Sequence, residues 1–302
     1  MRAILFGASK AGENYVSNHP DIEVVAFTDN DSAKHGTRFM GYPIIAPADI
    51  NTHDVDSIII TSQWVDQIYS QLTLEMGIDE SNIIVPSKQS VKAALPFEDN
   101  ETLAFAQSVM RTLNRYFVSH NISACLDSGT LLGAVRNKGL IPWDDDIDLA
   151  VDKDNYERLQ ASLPELYKLL NTNYDVKWNI VIITVNNIDC CINLEFSNLS
   201  HTQLVPFDIS IQRRESINGL SELLSSGGLF FAPATHFDSY EPIEFLGETF
   251  LAPFDAEGFL TFMYGHWQTP KKTTQITEYE NRRASMSAPR TGISVQKRTL
   301  CE

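Results

Sequence analysis

The stretch from Leu126 to Val151, LDSGTLLGAVRNKGLIPWDDDIDLAV, constrains this chain more than any other. Its acidic run, Asp144-Asp145-Asp146-Ile147-Asp148, leads straight into Leu149, Ala150 and Val151. Side chains alternate along a strand, which sends Asp144, Asp146 and Asp148 to one face and Asp145, Ile147 and Leu149 to the other. The pattern predicts a strand over Asp146 to Val151 with Ile147, Leu149 and Val151 packed inward. Carboxylates held this close repel one another, and a divalent cation is the usual reason such a set persists. Mg²⁺ takes hard oxygen ligands from one or two carboxylates plus substrate phosphates, which suits Asp146 and Asp148, with Mn²⁺ as the alternative. Ahead of the run, Ser128-Gly129-Thr130 form a small-residue turn whose backbone can approach a phosphate, and Arg136 and Lys138 supply cations. These are the parts of metal-assisted phosphoryl chemistry. The competing reading is a solvated acidic loop, but Pro142-Trp143 before the run and the apolar strand after it are not loop composition.

A further carboxylate, Asp208, sits between Phe207 and Ile209 in a strand-like run from Gln203 to Ile211. A lone acid in such a strand is costly unless paired or coordinated, so Asp208 is expected beside Asp146 and Asp148 on a neighbouring strand. Glu195 lies in a similar setting, where a surface ion pair is the expected role.

These segments resemble the signature of the LicD family, which includes phosphocholine transferases and fukutin-related ribitol-phosphate transferases. The resemblance rests on S-G-T-L-L-G-A-V-R-N-K-G at 128 to 139, I-P-W-D-D-D-I-D at 141 to 148, V-P-F-D-I at 205 to 209 and Y-G-H-W-Q-T-P at 264 to 270. Asn137 stands where the family usually has His, and His266 where an acid is common; neither position is a presumed metal ligand. The resemblance implies an α+β nucleotidyltransferase-fold domain with a mixed sheet, over about 98–272. It implies Asp146, Asp148 and Asp208 as catalytic and metal-holding residues, and Ser128, Gly129, Thr130, Gly133, Arg136 and Lys138 as the donor-binding set. It further implies a CDP-linked alcohol as donor and a surface glycan or its lipid-linked precursor as acceptor.

Residues 1–90 alternate short apolar strands with helical segments, which predicts an α/β domain with a small parallel sheet in the Rossmann manner. The first turn, G-A-S-K-A-G from Gly7 to Gly12, with Asp29 ending the second strand, is a candidate nucleotide site made of Gly7, Ser9, Gly12 and Asp29. Ser9 occupies the middle position where a glycine normally lets the backbone approach a pyrophosphate, so a tight strand-to-helix turn with no ligand is the competing reading.

With 302 residues, two domains are expected. A formal net charge of -16 argues against nucleic acid or an anionic membrane as a general partner. Four cysteines without C-x-x-C spacing fit a reducing cytoplasm, and no apolar run approaches membrane-spanning length. A soluble cytoplasmic protein is expected, peripheral at most at the inner face of the membrane, with homo-oligomers left open.

Apolar spacing at Leu103, Ala106, Met110, Leu113 and Phe117 predicts a helix capped by Asp99 or Asn100. Another helix is expected from Asn155 to Leu170, followed by a hairpin of Tyr174 to Val185 and Ile188 to Phe196 over Asn186-Asn187. A Ser- and Gly-rich loop over Ser221 to Gly228 should precede a strand pair near Leu229 to Phe231 and Glu244 to Phe250, then a helix from Ala256 to Tyr264. Trp267 reads as core. From 273 to 302 the chain reads as a polar basic tail, with Arg282, Arg283, Arg290, Lys297 and Arg298. Rival functions are a nucleotidyltransferase of a sugar or alditol phosphate, an oxidoreductase built on the first domain, and a nucleotide-binding regulatory protein.

Overall fold

The computed structural model describes residues 1–92, 95–272, 276–279, 281–283 and 295–301. The chain divides into two compact units: Met1–Ala93 with Lys271–Tyr279 and Arg283–Ile293, and Ala94–Pro270 with Glu280–Arg282 and Ser294–Glu302.

In the first unit, β1 (Arg2–Phe6), α1 (Lys10–Asn18), β2 (Glu23–Thr28), β3 (Arg38–Phe39), β4 (Tyr42–Ile45), β5 (Ser57–Ile60), α2 (Val65–Ser70) and β6 (Ile83–Ile84) follow in order. The sheet runs β3-β4-β2-β1-β5-β6, and every pairing except β3 with β4 is parallel. Parallel strands need both faces covered, and the sequence supplies apolar residues for both. Ile4, Phe6, Ile58 and Ile60 pack with Val65 and Ile68 of α2, while Ala3, Leu5, Phe27 and Ile59 pack with Tyr15 of α1. The expected parallel sheet is present.

The second unit starts with α3 (Asn100–Ser119), where the Asp99 carboxylate accepts from Thr102 N at 2.8 Å and caps the helix. Then come β7 (Cys125–Leu126), the short α4 (Ser128–Leu132), β8 (Asp146–Val151), α5 (Lys153–Asn173), β9 (Val176–Val185), β10 (Ile188–Asn198), β11 (Asp208–Ile217), β12 (Leu220–Leu223) and β13 (Phe231–Pro233). The unit closes with β14 (Tyr240–Phe245), β15 (Glu248–Pro253), α6 (Ala256–Tyr264) and β16 (Val295–Cys301). The sheet order is β14-β15-β7-β8-β11-β10-β9-β16, mixed because β8–β11 and β15–β7 are parallel while the rest are antiparallel.

Alternation decides what each face carries. Ile147, Leu149 and Val151 of β8, Ile209 and Ile211 of β11, Ile192 and Leu194 of β10, and Trp178, Ile180 and Ile182 of β9 share one core with Val109, Leu113 and Phe117 of α3 and with Leu159, Leu163, Leu166 and Leu170 of α5. The intervening residues face away from that core, so the opposite face of the same strands carries the polar groups. The β9–β10 turn is the expected one: Asn186 and Asn187 have φ of 50° and 65°, the left-handed pair that a two-residue hairpin requires.

Three expectations are corrected. Ser221 to Gly228 is not a continuous loop: Ser221 to Leu223 lie in β12, which pairs antiparallel with β11. The segment near Phe231 is β13 and pairs with β12, whereas Glu244 lies in the separate hairpin of β14 with β15. The last part of the basic stretch is not a tail, because Val295–Cys301 forms β16 on β9. An exposed edge strand accommodates Lys297 and Arg298 well, and the Arg298 guanidinium bonds Asp189 at 2.8 Å. Arg290 lies outside the described residues. Among the described residues, no helix is long and apolar enough to cross a membrane.

Candidate functional site

The register between β8 and β11 creates the site. Asp208 pairs with Asp146, and Ser210 with Asp148, in a parallel ladder. Partners across a ladder share a face, so Asp146, Asp148 and Asp208 all stand on the side opposite the core. Asp208 opens β11 rather than lying inside it, since Gln203 to Phe207 are not strand, and its side chain is exposed. Carboxylate oxygens of Asp144, Asp145 and Asp146 lie within 4.8 Å of one another, close enough to hold one cation. Asp145 was expected on the opposite face from Asp144 and Asp146; it joins them because the strand begins only at Asp146 and alternation does not extend back past it. Asp148 and Asp208 share the face without the trio Asp146, Asp148 and Asp208 closing to that distance as a set.

Neighbouring groups hold Asp148 in place. Gln212 Nε2 donates to its Oδ1 at 3.0 Å, and Gln212 is anchored in turn by the Ser225 hydroxyl. The backbone N–H of Asp148 donates to Thr130 Oγ1 at 2.9 Å, so Thr130 ties the small-residue turn to the acidic strand.

That turn is tighter than a loop. Asp127 caps α4 with its Oδ1 accepting Ser128 N at 2.7 Å, and Ser128 has φ of +48°. Asp127 and Arg214 form a buried ion pair at 2.8 Å, with side-chain exposures of 1% and 3%. The Arg214 guanidinium also lies 4.3 Å from the Phe237 ring. Neither residue was identified from sequence, and they are 87 positions apart. An Asp just before the turn and one of two adjacent arginines, Arg213-Arg214, were the available signals.

The Arg136 guanidinium donates to the Trp267 carbonyl at 3.2 Å and to Asn137 Oδ1 at 2.8 Å, and burial lowers its pKa against the opposing pull of Tyr264 and Asp144. Trp267 is buried, as expected. Lys138 is exposed, with φ of +56° just past the turn. His266 is exposed as well.

Two glycines have separate jobs. A Cβ on Gly129 would sit 2.2 Å from Asp144 Oδ2, and one on Gly133 would sit 2.6 Å from the Gly139 carbonyl oxygen. Gly129→Ala should displace a movable carboxylate and weaken Mn²⁺ binding, read by electron paramagnetic resonance, by about tenfold, the lower end for disturbing a ligand's surroundings. Gly133→Ala presses on backbone and should lower the urea midpoint instead, by an overpacking cost of about 1–3 kcal/mol. Equal loss of metal binding in both variants would refute this division.

In the first unit, the glycines of the Gly7 to Gly12 turn are demanded by packing. Gly7 has φ of +123°, with the Thr61 carbonyl oxygen 2.6 Å from where a Cβ would be, and a Cβ on Gly12 would meet the Gly7 oxygen at 2.6 Å. Asp29 accepts from Ala8 N at 3.1 Å and from Lys34 Nζ at 2.7 Å, so the candidate ribose-binding acid braces its own turn. The exposed Ser9 hydroxyl donates to the Thr61 carbonyl at 3.3 Å.

Glu195 departs from expectation. It follows Leu194, the register partner of Ile209, and so comes opposite Asp208 on the polar face. Among the described residues it makes no hydrogen bond or ion pair. Burial, then the Asp208 charge, raises its carboxyl pKa, with Lys297 opposing.

Aspartates on two adjacent parallel strands, behind a capped small-residue turn with an arginine beside it, define a candidate site for metal-assisted phosphoryl chemistry. Residues 121–255 match the family model described as LicD/FKTN/FKRP, nucleotidyltransferase domain, and this part of the chain belongs to the LicD family. Residues 1–84 match the model described as C2185-like, N-terminal. Lipopolysaccharide cholinephosphotransferase LicD of Haemophilus influenzae is 46% identical over 61 residues, 19% of this chain and 23% of that protein. An uncharacterised protein, RP689 of Rickettsia prowazekii, is 38% identical over 73 residues, 24% of this chain and 27% of that protein. The chain thus spans about a quarter of the length of these curated relatives. UDP-D-quinovosamine 4-dehydrogenase from Vibrio fischeri aligns at 19% identity over 28% of this chain and 76% of that one, with a TM-score of 0.24.

Proposed function

We propose that the second unit is a nucleotidyltransferase-fold phosphotransferase that moves a phospho-alcohol from a CDP-linked donor to a hydroxyl of a surface glycan or its lipid-linked precursor. The single observation that carries this reading is the register pairing of Asp208 with Asp146, two residues from Asp148, on the polar face of a sheet whose sequence belongs to the LicD family. The donor class rests on the likeness to a cholinephosphotransferase; choline, ribitol and glycerol are the candidate alcohols.

The oxygen-only carboxylates of this face fit Mg²⁺ or Mn²⁺: Asp144, Asp145 and Asp146 already lie within 4.8 Å of one another, and Asp148 and Asp208 stand on the same face as Asp146. Such an ion, when bound, neutralises diphosphate charge and favours departure of the nucleoside monophosphate. The chain's own residues do the rest. Backbone N–H groups of Gly129 and Thr130 cradle the donor phosphates, the Ser128 N–H being held by Asp127 and the Gly133 N–H by the helix itself, and Arg136 meets the remaining charge, with Lys138 at the rim. The acceptor hydroxyl attacks the phosphorus bearing the alcohol, a new O–P bond forms, the bond to the bridging oxygen breaks, and CMP leaves. Asp208, exposed at the entry of β11, takes the hydroxyl proton.

Phosphorus NMR tests the direction of transfer. With Mg²⁺ and the right CDP-alcohol, the protein should release CMP and form a new phosphodiester. If CTP and an alditol phosphate give pyrophosphate instead, and no CDP-alcohol is consumed, the protein is a nucleotidyltransferase and this reading is wrong.

A further inference from the structure

We propose that Asn193, Glu195 and Asn179, on β10 and β9 beside Asp208, form the seat of the acceptor and recognise a polyol through at least two of its hydroxyls. The proposal rests on the phosphotransferase reading and adds the acceptor's place and chemical class.

Ladder register lays the polar face out in two rows. Asp146, Asp208, Glu195 and Asn179 form the first, through the pairings Asp146–Asp208 and Glu195–Asn179, with Glu195 coming opposite Asp208 one residue beyond Leu194–Ile209. Asp148, Ser210, Asn193 and Val181 form the second. Three groups in these rows lack protein partners among the described residues. Asn193 is only 8% exposed; its Oδ1 accepts from Ser210 Oγ at 3.0 Å and Cys191 Sγ at 3.1 Å, which aims Nδ2 away from them, and Nδ2 donates to nothing. Asn179 Oδ1 is buried without a donor. The Glu195 carboxylate, half-buried in the same row, has neither hydrogen bond nor ion pair.

Buried polar groups in native proteins are almost always satisfied, so the buried Asn179 Oδ1 calls for a donor, and beside it the Asn193 amide and the Glu195 carboxylate reach solvent without a protein partner; together the three point to a ligand that meets them. A hydroxyl both donates and accepts. An amide donor on one strand, with an amide acceptor and a carboxylate acceptor in the next row, matches two neighbouring hydroxyls of a sugar or alditol. A cation would leave the Asn193 donor unmet. A quaternary ammonium group would want aromatic faces, and the platform's side chains, including Val181, Ile183, Cys191 and Thr299, contain none. Opposite Asp208, the seat puts an acceptor hydroxyl next to the residue that takes its proton.

Saturation-transfer NMR on the full-length protein, with methyl glycosides of glucose, galactose and N-acetylgalactosamine and with ribitol as probes, tests this without needing turnover. At least one probe should give a signal with wild type, and Glu195→Gln and Asn193→Asp should each weaken its dissociation constant at least tenfold. Both substitutions nearly preserve shape, and near-ultraviolet circular dichroism checks the fold. The Mg²⁺-dependent melting shift with CDP-alcohols should be unchanged in both variants. Silence from every probe, or unchanged probe affinity in both folded variants, overturns the proposal. Loss of the donor shift together with the probe signal also overturns it, by assigning these residues to the donor. If wild type shows no donor shift yet binds a polyol in an Asn193- and Glu195-dependent way, the seat stands and the phosphotransferase reading falls.

Discussion

Asp148→Asn should cost about a thousandfold in transfer rate, at the upper end for losing one preorganised electrostatic contact, while the melting temperature stays within about 2 °C of wild type. The substitution keeps an Oδ1 that accepts from Gln212 Nε2, now at 3.0 Å, and leaves the backbone bond to Thr130 Oγ1 untouched. It leaves Ile147 and Leu149 in the core. What it removes is one negative charge from the polar face that Asp146 and Asp208 share, so repulsion within the unliganded site falls and stability need not. CMP release, followed alongside a thermal melt, reads both quantities. A folded Asp148→Asn protein with activity within tenfold of wild type would remove Asp148 from the machinery.

The largest stability effect is expected at Arg214→Ala. Asp127 and Arg214 are almost completely buried and 2.8 Å apart, and removing one partner strands the other charge. Breaking such a pair typically costs about 3–5 kcal/mol. In a unit of this size the melting temperature should fall by roughly 10 °C. Damage should also reach the site, because Asp127 holds Ser128 N at 2.7 Å and Arg214 holds Asp127. Replacing both partners, as in Asp127→Asn with Arg214→Met, removes the stranded charge and should recover part of the loss. Urea unfolding of both singles and the double gives the coupling directly. If Arg214→Ala loses less than about 1 kcal/mol, the pair is not the brace described above.

The contrast between these two aspartates explains what the sequence made legible. Asp146 and Asp148 announce themselves through two-residue spacing beside apolar Ile147 and Leu149, a local pattern with a local cause. The Asn186-Asn187 turn was legible for the same reason, since its chemistry lies within two residues. Asp208 could be expected near them because an acid among apolar neighbours needs a partner. Asp127 and Arg214 carry no such pattern; they meet only because β7 and β11 flank β8. Glu195 was misread because its neighbours are set by register across three strands, which no single segment encodes. Val295–Cys301 read as tail because an exposed polar edge strand differs little from a tail in composition, and Ser221 to Leu223 read as loop because so short a strand among serines and glycines carries no local pattern, although Ser221 and Leu223 are buried.

In the first unit the same logic separates shape from ligand. The spacing of Gly7, Gly12 and Asp29 correctly marks a tight strand-to-helix turn. Thr61, Lys34 and the backbone of Ala8 then account for all three residues within the protein itself.

The central claim, a metal-dependent site for a CDP-linked donor built on Asp146, is tested most directly by a thermal-shift panel. CDP-choline, CDP-ribitol, CDP-glycerol, CTP, UDP-sugars and NAD are each added with Mg²⁺ and with EDTA, to wild type and to Asp146→Asn. Ligands that bind the folded state raise the melting temperature by mass action. One CDP-alcohol should give a shift that requires Mg²⁺ and vanishes in the variant. Silence from every CDP compound, with a shift only from NAD or a UDP-sugar that survives the substitution, would contradict the account and move the function to the first unit.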